Sequence, residues 1–447
     1  MNIDRTGCKR WLIACAVLAA GIQSALAQQT ASVPRPRHTI DMTPVKPESV
    51  GFSTARLERL HALMQQAVDR RQIAGAVTIL ARHGRIVEFR TYGYRDLASG
   101  KPMTRDTIFR DYSMTKPITG VAMMILYEQA KWQPSDKVST YIPEFSHLKV
   151  YAGLNGEGKM MVGDPVHSPT MLELMTHTAG FTYGNGHSPV DKMYGDLKVR
   201  DSRTLQEMID RLAQIPLAYQ PGQAWVYSLS MDIQGYIVEK LSGQSLPDFM
   251  REQIFKPLGM KDTDFYVPAE KRSRFATLYE NDGNGGLKLD TTNGMAMGDF
   301  LTPPTMPSGG AGVVSTAEDY YLFAQMLAND GELNGVRILA PATVKLMTAN
   351  HVPQNLLTGE FGIGTEWLRP GFGYGYDCAA IFDPIEANLP DGKNTFFWAG
   401  AAGTWFWVDP TNGIVFVGMI QRMNGGTPNL EYLSRNLVYQ ALVAPSQ

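Results

Sequence analysis

Cysteine is nearly missing from this chain, and its scarcity sets the first limit. Of 447 residues three are cysteine, Cys8, Cys15 and Cys378, and two of them fall within the first 27 residues. A chain that has shed those residues keeps one thiol and has no internal disulfide, so its stability must come from its core. Cys378 follows a Gly/Tyr-rich run, Gly371-Phe372-Gly373-Tyr374-Gly375-Tyr376-Asp377, with no neighbouring base. A buried, inert thiol fits that setting better than a nucleophile. Charge is sparse too, at 19% against 44% hydrophobic residues, a composition for a packed interior and not for disorder. Lys+Arg number 41 and Asp+Glu 43; residues 1–27 hold Arg5, Lys9, Arg10 and Asp4, so without them 38 face 42, a net −4. With no basic run, nothing draws the chain to nucleic acid or to an anionic membrane.

Familiar catalytic signatures are absent as well. No G-x-S-x-G occurs, which argues against an α/β-hydrolase with a nucleophile elbow. No H-E-x-x-H, no paired Cys/His cluster and no phosphate-cradling glycine loop occurs. The eight histidines therefore read as structural or solvent-facing, and no metal or cofactor is expected.

What is present begins with an export signal. Lys9 and Arg10 precede the apolar stretch from Trp11 to Ile22, and Ala25-Leu26-Ala27 is a small-x-small cleavage site. This predicts a signal peptide over 1–27, cut after Ala27, and a periplasmic or secreted protein. The apolar stretch is too short to span a bilayer comfortably, so no stable membrane insertion is expected. Residues 28–47 carry Pro34, Pro36, Pro44 and Pro47 and read as an extended leader.

Beyond the leader, Leu57, Leu60, Leu63, Met64 and Val68 make one stripe of a helix over Ser53–Arg71. Gly75–Ala81 and Ile86–Tyr92, separated by His83-Gly84, read as a hairpin. Ser113–Ala130 is apolar on nearly all sides, as a central buried helix is. Helix and loop follow to about residue 300, with a polar glycine cluster at Asn281–Gly286, then helices over Thr316–Asn329 and Ala340–Asn350. Strand-like segments come at Thr395–Trp398, Trp405–Val408 and Ile414–Gln421, and a last helix at Asn429–Leu442. This order predicts an α+β fold: an antiparallel sheet flanked by helices, built from strands far apart in sequence, with a mostly helical lobe inserted and the active site between them. The expected sheet lobe is 48–112 plus 301–447 and the helical lobe 113–300, together one catalytic domain over 48–447.

Three segments carry chemistry. In Ser113-Met114-Thr115-Lys116 the hydroxyl and the ammonium are three positions apart at a helix start, hence on one face. A serine hydroxyl needs a partner to take its proton, and a buried lysine can serve directly or through a nearby phenol. The bare spacing is weak: it recurs at Ser146-His147-Leu148-Lys149, and for an arbitrary copy a helix cap is the better reading. Context separates the two, since Ser113 opens a long apolar helix and Ser146 follows Pro143 in a loop. Pro117 biases Lys116 away from helical geometry, which only a first turn tolerates. The second segment is Pro221-Gly222-Gln223-Ala224-Trp225-Val226-Tyr227-Ser228-Leu229, whose Tyr227 taken alone would be a core residue. The third, Trp398-Ala399-Gly400-Ala401-Ala402-Gly403, places small residues where a substrate could approach backbone N–H groups; the plainer reading is a strand with a glycine kink.

In this order the three segments resemble class C β-lactamases, DD-peptidases and related esterases. Leu174-Met175-Thr176-His177-Thr178-Ala179-Gly180 and Gly309-Gly310-Ala311-Gly312-Val313-Val314-Ser315-Thr316 are similar to that group too, and the likeness runs from about Pro47 to Ala444. Two departures narrow it. Leu229 stands where β-lactamases and peptidases have the asparagine of Y-x-N, and Trp398-Ala399-Gly400 stands for K-T-G or H-x-G. Both resemble the family VIII carboxylesterases. The likeness implies Ser113 as nucleophile, Tyr227 and Lys116 as proton carriers, and an oxyanion hole from the N–H groups of Ser113 and Ala401. Trp398, Ala399, Gly400 and Leu229 would contact substrate, as could Tyr183, whose Tyr183-Gly184-Asn185 is a literal Y-x-N without the Pro-Gly lead-in. Leu and Trp at these positions leave an apolar, uncharged pocket suited to small neutral esters, with Trp405 and Phe406 as candidates to close it. β-Lactamase, D-amino-acid peptidase and acyltransferase chemistry remain alternatives on this scaffold, as does a penicillin sensor that acylates without turnover. The oligomeric state is not readable from the sequence.

Overall fold

The apolar runs flanking His83-Gly84 close into the expected hairpin, because His83 and Gly84 both take positive φ, +50° and +72°, the backbone a tight two-residue turn requires. In the computed structural model, which describes residues 40–292, 298–357, 370–423 and 429–444, the arms of this hairpin are β1 (Gly75–Arg82) and β2 (Arg85–Asp96). They belong to an eight-stranded antiparallel sheet with β3 (Lys101–Pro102), β4 (Phe372–Tyr374), β5 (Ala379–Ile381), β6 (Thr395–Ala399), β7 (Thr404–Asp409) and β8 (Ile414–Met419). Its order is β4-β5-β6-β7-β8-β1-β2-β3. The C-terminal strands join the N-terminal hairpin where β8 meets β1, with Val77 opposite Met419 and Arg82 opposite Ile414. The fold is thus α+β, and strands from opposite ends of the chain share one antiparallel sheet.

The helices that position the site are α1 (Thr54–Asp69), α2 (Thr115–Glu128), α3 (Met171–Met175), α4 (Ser230–Ser242), α5 (Ala317–Ala328) and α6 (Leu430–Tyr439); α1 and α5 pack on the sheet, α6 packs on α1, and α2 and α3 pack on α4. Strands β1, β6, β7 and β8 are buried along their whole length, so both faces of the sheet are covered. Successive side chains on a strand point to opposite faces, and β7 shows which helix covers which. Trp407 lies under Arg435 of α6, 5.1 Å from guanidinium carbon to ring centre, whereas the Phe406 ring is 5.1 Å from Tyr320 of α5. α2 runs next to α4 and is buried without a break from Thr115 to Leu126. Pro117 falls in its first turn, where no intrahelical partner for an N–H is lost.

The stretch expected to be helix and loop also holds two hairpins, Val150–Leu154 with Met160–Gly163 and Tyr279–Asn281 with Leu287–Leu289. The glycine cluster is the turn of the second, where Asp282 accepts from the N–H groups of Asn284 and Gly286. Strands β4 and β5, three residues each, come from the Gly/Tyr-rich run around Cys378, and that thiol is buried as expected, with its pKa pushed up by burial. Residues 1–27, read as the signal peptide, and 28–39 of the leader lie outside the described residues. Among the described residues, no helix is long and apolar enough to cross a membrane.

Candidate active site

Ser113 sits in a 3₁₀ turn, Tyr112–Met114, that leads directly into α2. Its neighbours Tyr112 and Met114 are buried while Ser113 is only partly so. The turn is strained, with Tyr112 at φ +45°, and it is held from three sides. Asp111 N–H donates to the Val313 carbonyl (3.0 Å), Tyr320 of α5 donates to the Met114 carbonyl (2.9 Å), and the Thr404 hydroxyl donates to the Asp111 carbonyl (3.1 Å). Gly400 follows β6 at the same spot: a Cβ there would overlap the Asp111 carbonyl oxygen and the Thr404 hydroxyl. The glycine of Trp398-Ala399-Gly400 therefore lets the sheet edge press against the turn that carries Ser113.

Lys116, completely buried, lies one turn further on. Its Nζ donates to Ser113 Oγ at 3.2 Å and to the Gly310 carbonyl at 2.8 Å. That carbonyl is fixed in turn: Gly310 N–H donates to Asp232 Oδ1 at 3.3 Å, and the Ser308 hydroxyl donates to the same oxygen. Burial disfavours the Lys116 ammonium, but the phenolic oxygens of Tyr183 and Tyr227 outweigh burial and hold its pKa above the usual lysine value. Lys116 is consequently a cation, with two phenols facing it.

Tyr227 is the nearer of the two. Its ring centre is 4.6 Å from Lys116 Nζ, against 5.5 Å for Tyr183, whose own pKa is pushed up by burial despite Lys116. Around Tyr227 lie the rings of His177 (4.9 Å), Tyr183 (5.2 Å) and Trp398 (5.6 Å), and Tyr374 stands 5.5 Å from Trp398. The structure thus brings together all three segments singled out in the sequence. Leu229 is buried at the start of α4, its N–H donating to the Thr182 carbonyl. Ala399 pairs with Trp405 at the end of β6. The Gly400 N–H is taken by the Thr404 carbonyl at 2.7 Å, and Ala401 is exposed in the turn that follows. Ser146 is elsewhere, exposed, with its hydroxyl on the Pro143 carbonyl and Lys149 paired with Asp164.

One expectation needs correction. Trp405 and Phe406 do not join these rings. Trp398 pairs with Phe406 across β6 and β7, so Trp405 points to the opposite face of the sheet, where its indole lies on Gly418 beside Phe416. Phe406 is on the same face as Trp398 but packs against Tyr320. The aromatic wall comes instead from Tyr374 and Trp225, 5.4 Å apart. Asp232 and Ser308 were likewise not singled out in the sequence. Trp225 lay within the quoted Pro-Gly segment and could have been suspected; nothing local marks the others.

A family model described as Beta-lactamase matches residues 60–439. The chain is 33% identical over 371 residues to an uncharacterized protein of Mycobacterium tuberculosis, covering 82% of this chain and 90% of that protein. It is 33% identical over 379 residues to esterase EstB of Burkholderia gladioli, covering 80% and 88%. The solved structure of EstCE1, described as a hydrolase with promiscuous acyltransferase activity, superposes with a TM-score of 0.72 at 29% identity, over 86% of this chain and 98% of that one. The chain belongs to the beta-lactamase family of serine hydrolases and, within it, to the family VIII carboxylesterases.

Proposed function

We propose that the protein cleaves small neutral carboxylic esters through an acyl-enzyme on Ser113. The observation that carries this reading is the buried Lys116 ammonium, 3.2 Å from Ser113 Oγ and 4.6 Å from the Tyr227 ring centre. Tyr227, set beside Lys116, takes the proton from Ser113 as Oγ attacks the ester carbonyl. The N–H groups of Ser113 and Ala401 stabilise the oxyanion. Tyr227 then returns the proton to the leaving alcohol, and water, deprotonated the same way, frees the acid. The pocket walls that support small neutral substrates are Trp398, Tyr183 and Leu229, none of them charged. The test is acid quench of the enzyme during turnover of a slow ester, followed by peptide mass analysis. The acyl mass is expected on the peptide holding Ser113; acyl label on any other residue contradicts the assignment.

Acyl transfer is a second reading, supported by the likeness to EstCE1, a hydrolase that also transfers acyl groups. It uses the same intermediate with an alcohol in place of water, so added alcohol should speed acyl release and yield the new ester. Export is proposed from residues 1–27. The mature protein should begin at Gln28, whereas a lipid-bearing Cys15 in an intact-mass spectrum would overturn the periplasmic or secreted reading.

A further inference from the structure

His177 lies two residues beyond α3 with φ +58°, a left-handed conformation that costs a non-glycine residue energy. Its backbone and its ring hold the chain on both sides of Tyr227. The His177 carbonyl accepts from Val226 N–H at 2.9 Å, and Nδ1 accepts from Ser228 N–H at 3.2 Å. Ser228 Oγ is 2.9 Å from the same Nδ1 and 2.8 Å from Ser230 Oγ, which ties the hold to the first turn of α4. The ring is 1% exposed and packed among three aromatics: Tyr227 at 4.9 Å, Trp225 at 5.5 Å and Tyr374 at 5.5 Å.

The direction of one hydrogen bond fixes the chemistry of this ring. An amide N–H can only donate, so Nδ1 must accept, and the imidazole is the neutral form with its hydrogen on Nε2. With Nδ1 occupied by Ser228, His177 is not placed to take the proton of Ser113. An imidazolium would lose the Ser228 bond. Burial and then the Lys116 charge both push the His177 pKa well below the usual value, so the hold persists wherever the enzyme is folded and working.

We propose that His177 is a positioning residue for ester cleavage: by fixing the main chain at Val226 and Ser228, it sets where the Tyr227 hydroxyl stands relative to Ser113 and Lys116. The inference rests on Tyr227 being the proton carrier. Two variants test it. His177→Phe keeps an aromatic ring for its neighbours but removes the Nδ1 acceptor. His177→Asn puts an amide oxygen near the same position and tolerates the left-handed backbone. The measurements are kcat and KM on p-nitrophenyl butyrate, with the melting temperature of each variant.

His177→Phe should lower kcat about 10²-fold, the scale for a catalytic group displaced by roughly 1 Å, with KM within about twofold. His177→Asn should recover most of kcat without melting any higher than the Phe variant. The inference is overturned if His177→Phe keeps kcat within about threefold of the parent, or if the two variants lose kcat equally and in step with their melting temperatures. Ser113→Ala and Tyr227→Phe run alongside as references. If those two are inactive and His177→Phe is normal, only the positioning role fails; if Tyr227→Phe is active, the proton carrier itself has been misassigned.

Discussion

Ser113 and Ser146 share one spacing to a lysine and differ in everything that spacing cannot encode. Ser113 has its lysine buried against it; Ser146 has an exposed lysine paired with Asp164. Ser113→Ala should therefore cost at least ~10³-fold in kcat/KM, since the covalent route is lost, while Ser146→Ala should be neutral. Lys116→Ala and Tyr227→Phe should each cost nearly as much, because groups acting as a unit do not add. Two phenols face the same ammonium, so the comparison that matters is Tyr227→Phe against Tyr183→Phe on the same ester. The nearer ring, Tyr227, is expected to be the crippling one; the reverse order would move the base to Tyr183.

At the scale of elements, the turn that carries Ser113 is braced by a strand end, not only by its own helix. Gly400 lets β6 and its turn touch the Asp111 carbonyl, and that oxygen is backbone, which cannot rotate away. Gly400→Ala should destabilise the protein by about 1–3 kcal/mol through overpacking and also lower kcat, read from urea unfolding and ester turnover together. An unchanged variant would show that the sheet does not set the Ser113 turn. Legibility divides along the same scale. α1, α2, α5, α6, the β1–β2 hairpin and the strands β6 to β8 were readable because each is long enough for periodicity or a turn pair to register. β4 and β5 were not, since three residues carry no period, nor were the two hairpins in the middle of the chain. Of the site, Ser113, Lys116, Tyr227 and Trp398 were legible from motif order. Tyr374 and Asp232 were not, because only tertiary packing brings them there, and Trp405 was misplaced because the facing of a strand depends on its register.

For the whole molecule, one sheet supplies the edge that Ser113 leans on, α2 supplies the buried cation, and two loops supply the phenols, Tyr183 and Tyr227. The residues proposed for the substrate side, Trp398, Tyr183 and Leu229, are aromatic and aliphatic, without the asparagine or lysine that would meet an amide and a carboxylate. A site built to hydrogen-bond such groups discriminates strongly for them, whereas an apolar pocket gives them little. Short acyl esters should be good substrates, and β-lactams should react slowly through the same serine. The most direct test is kcat/KM for p-nitrophenyl butyrate and for nitrocefin on one preparation of purified enzyme. The ester is expected to lead by about two orders of magnitude or more; faster turnover of nitrocefin would contradict the esterase assignment and the roles given to Leu229 and Trp398.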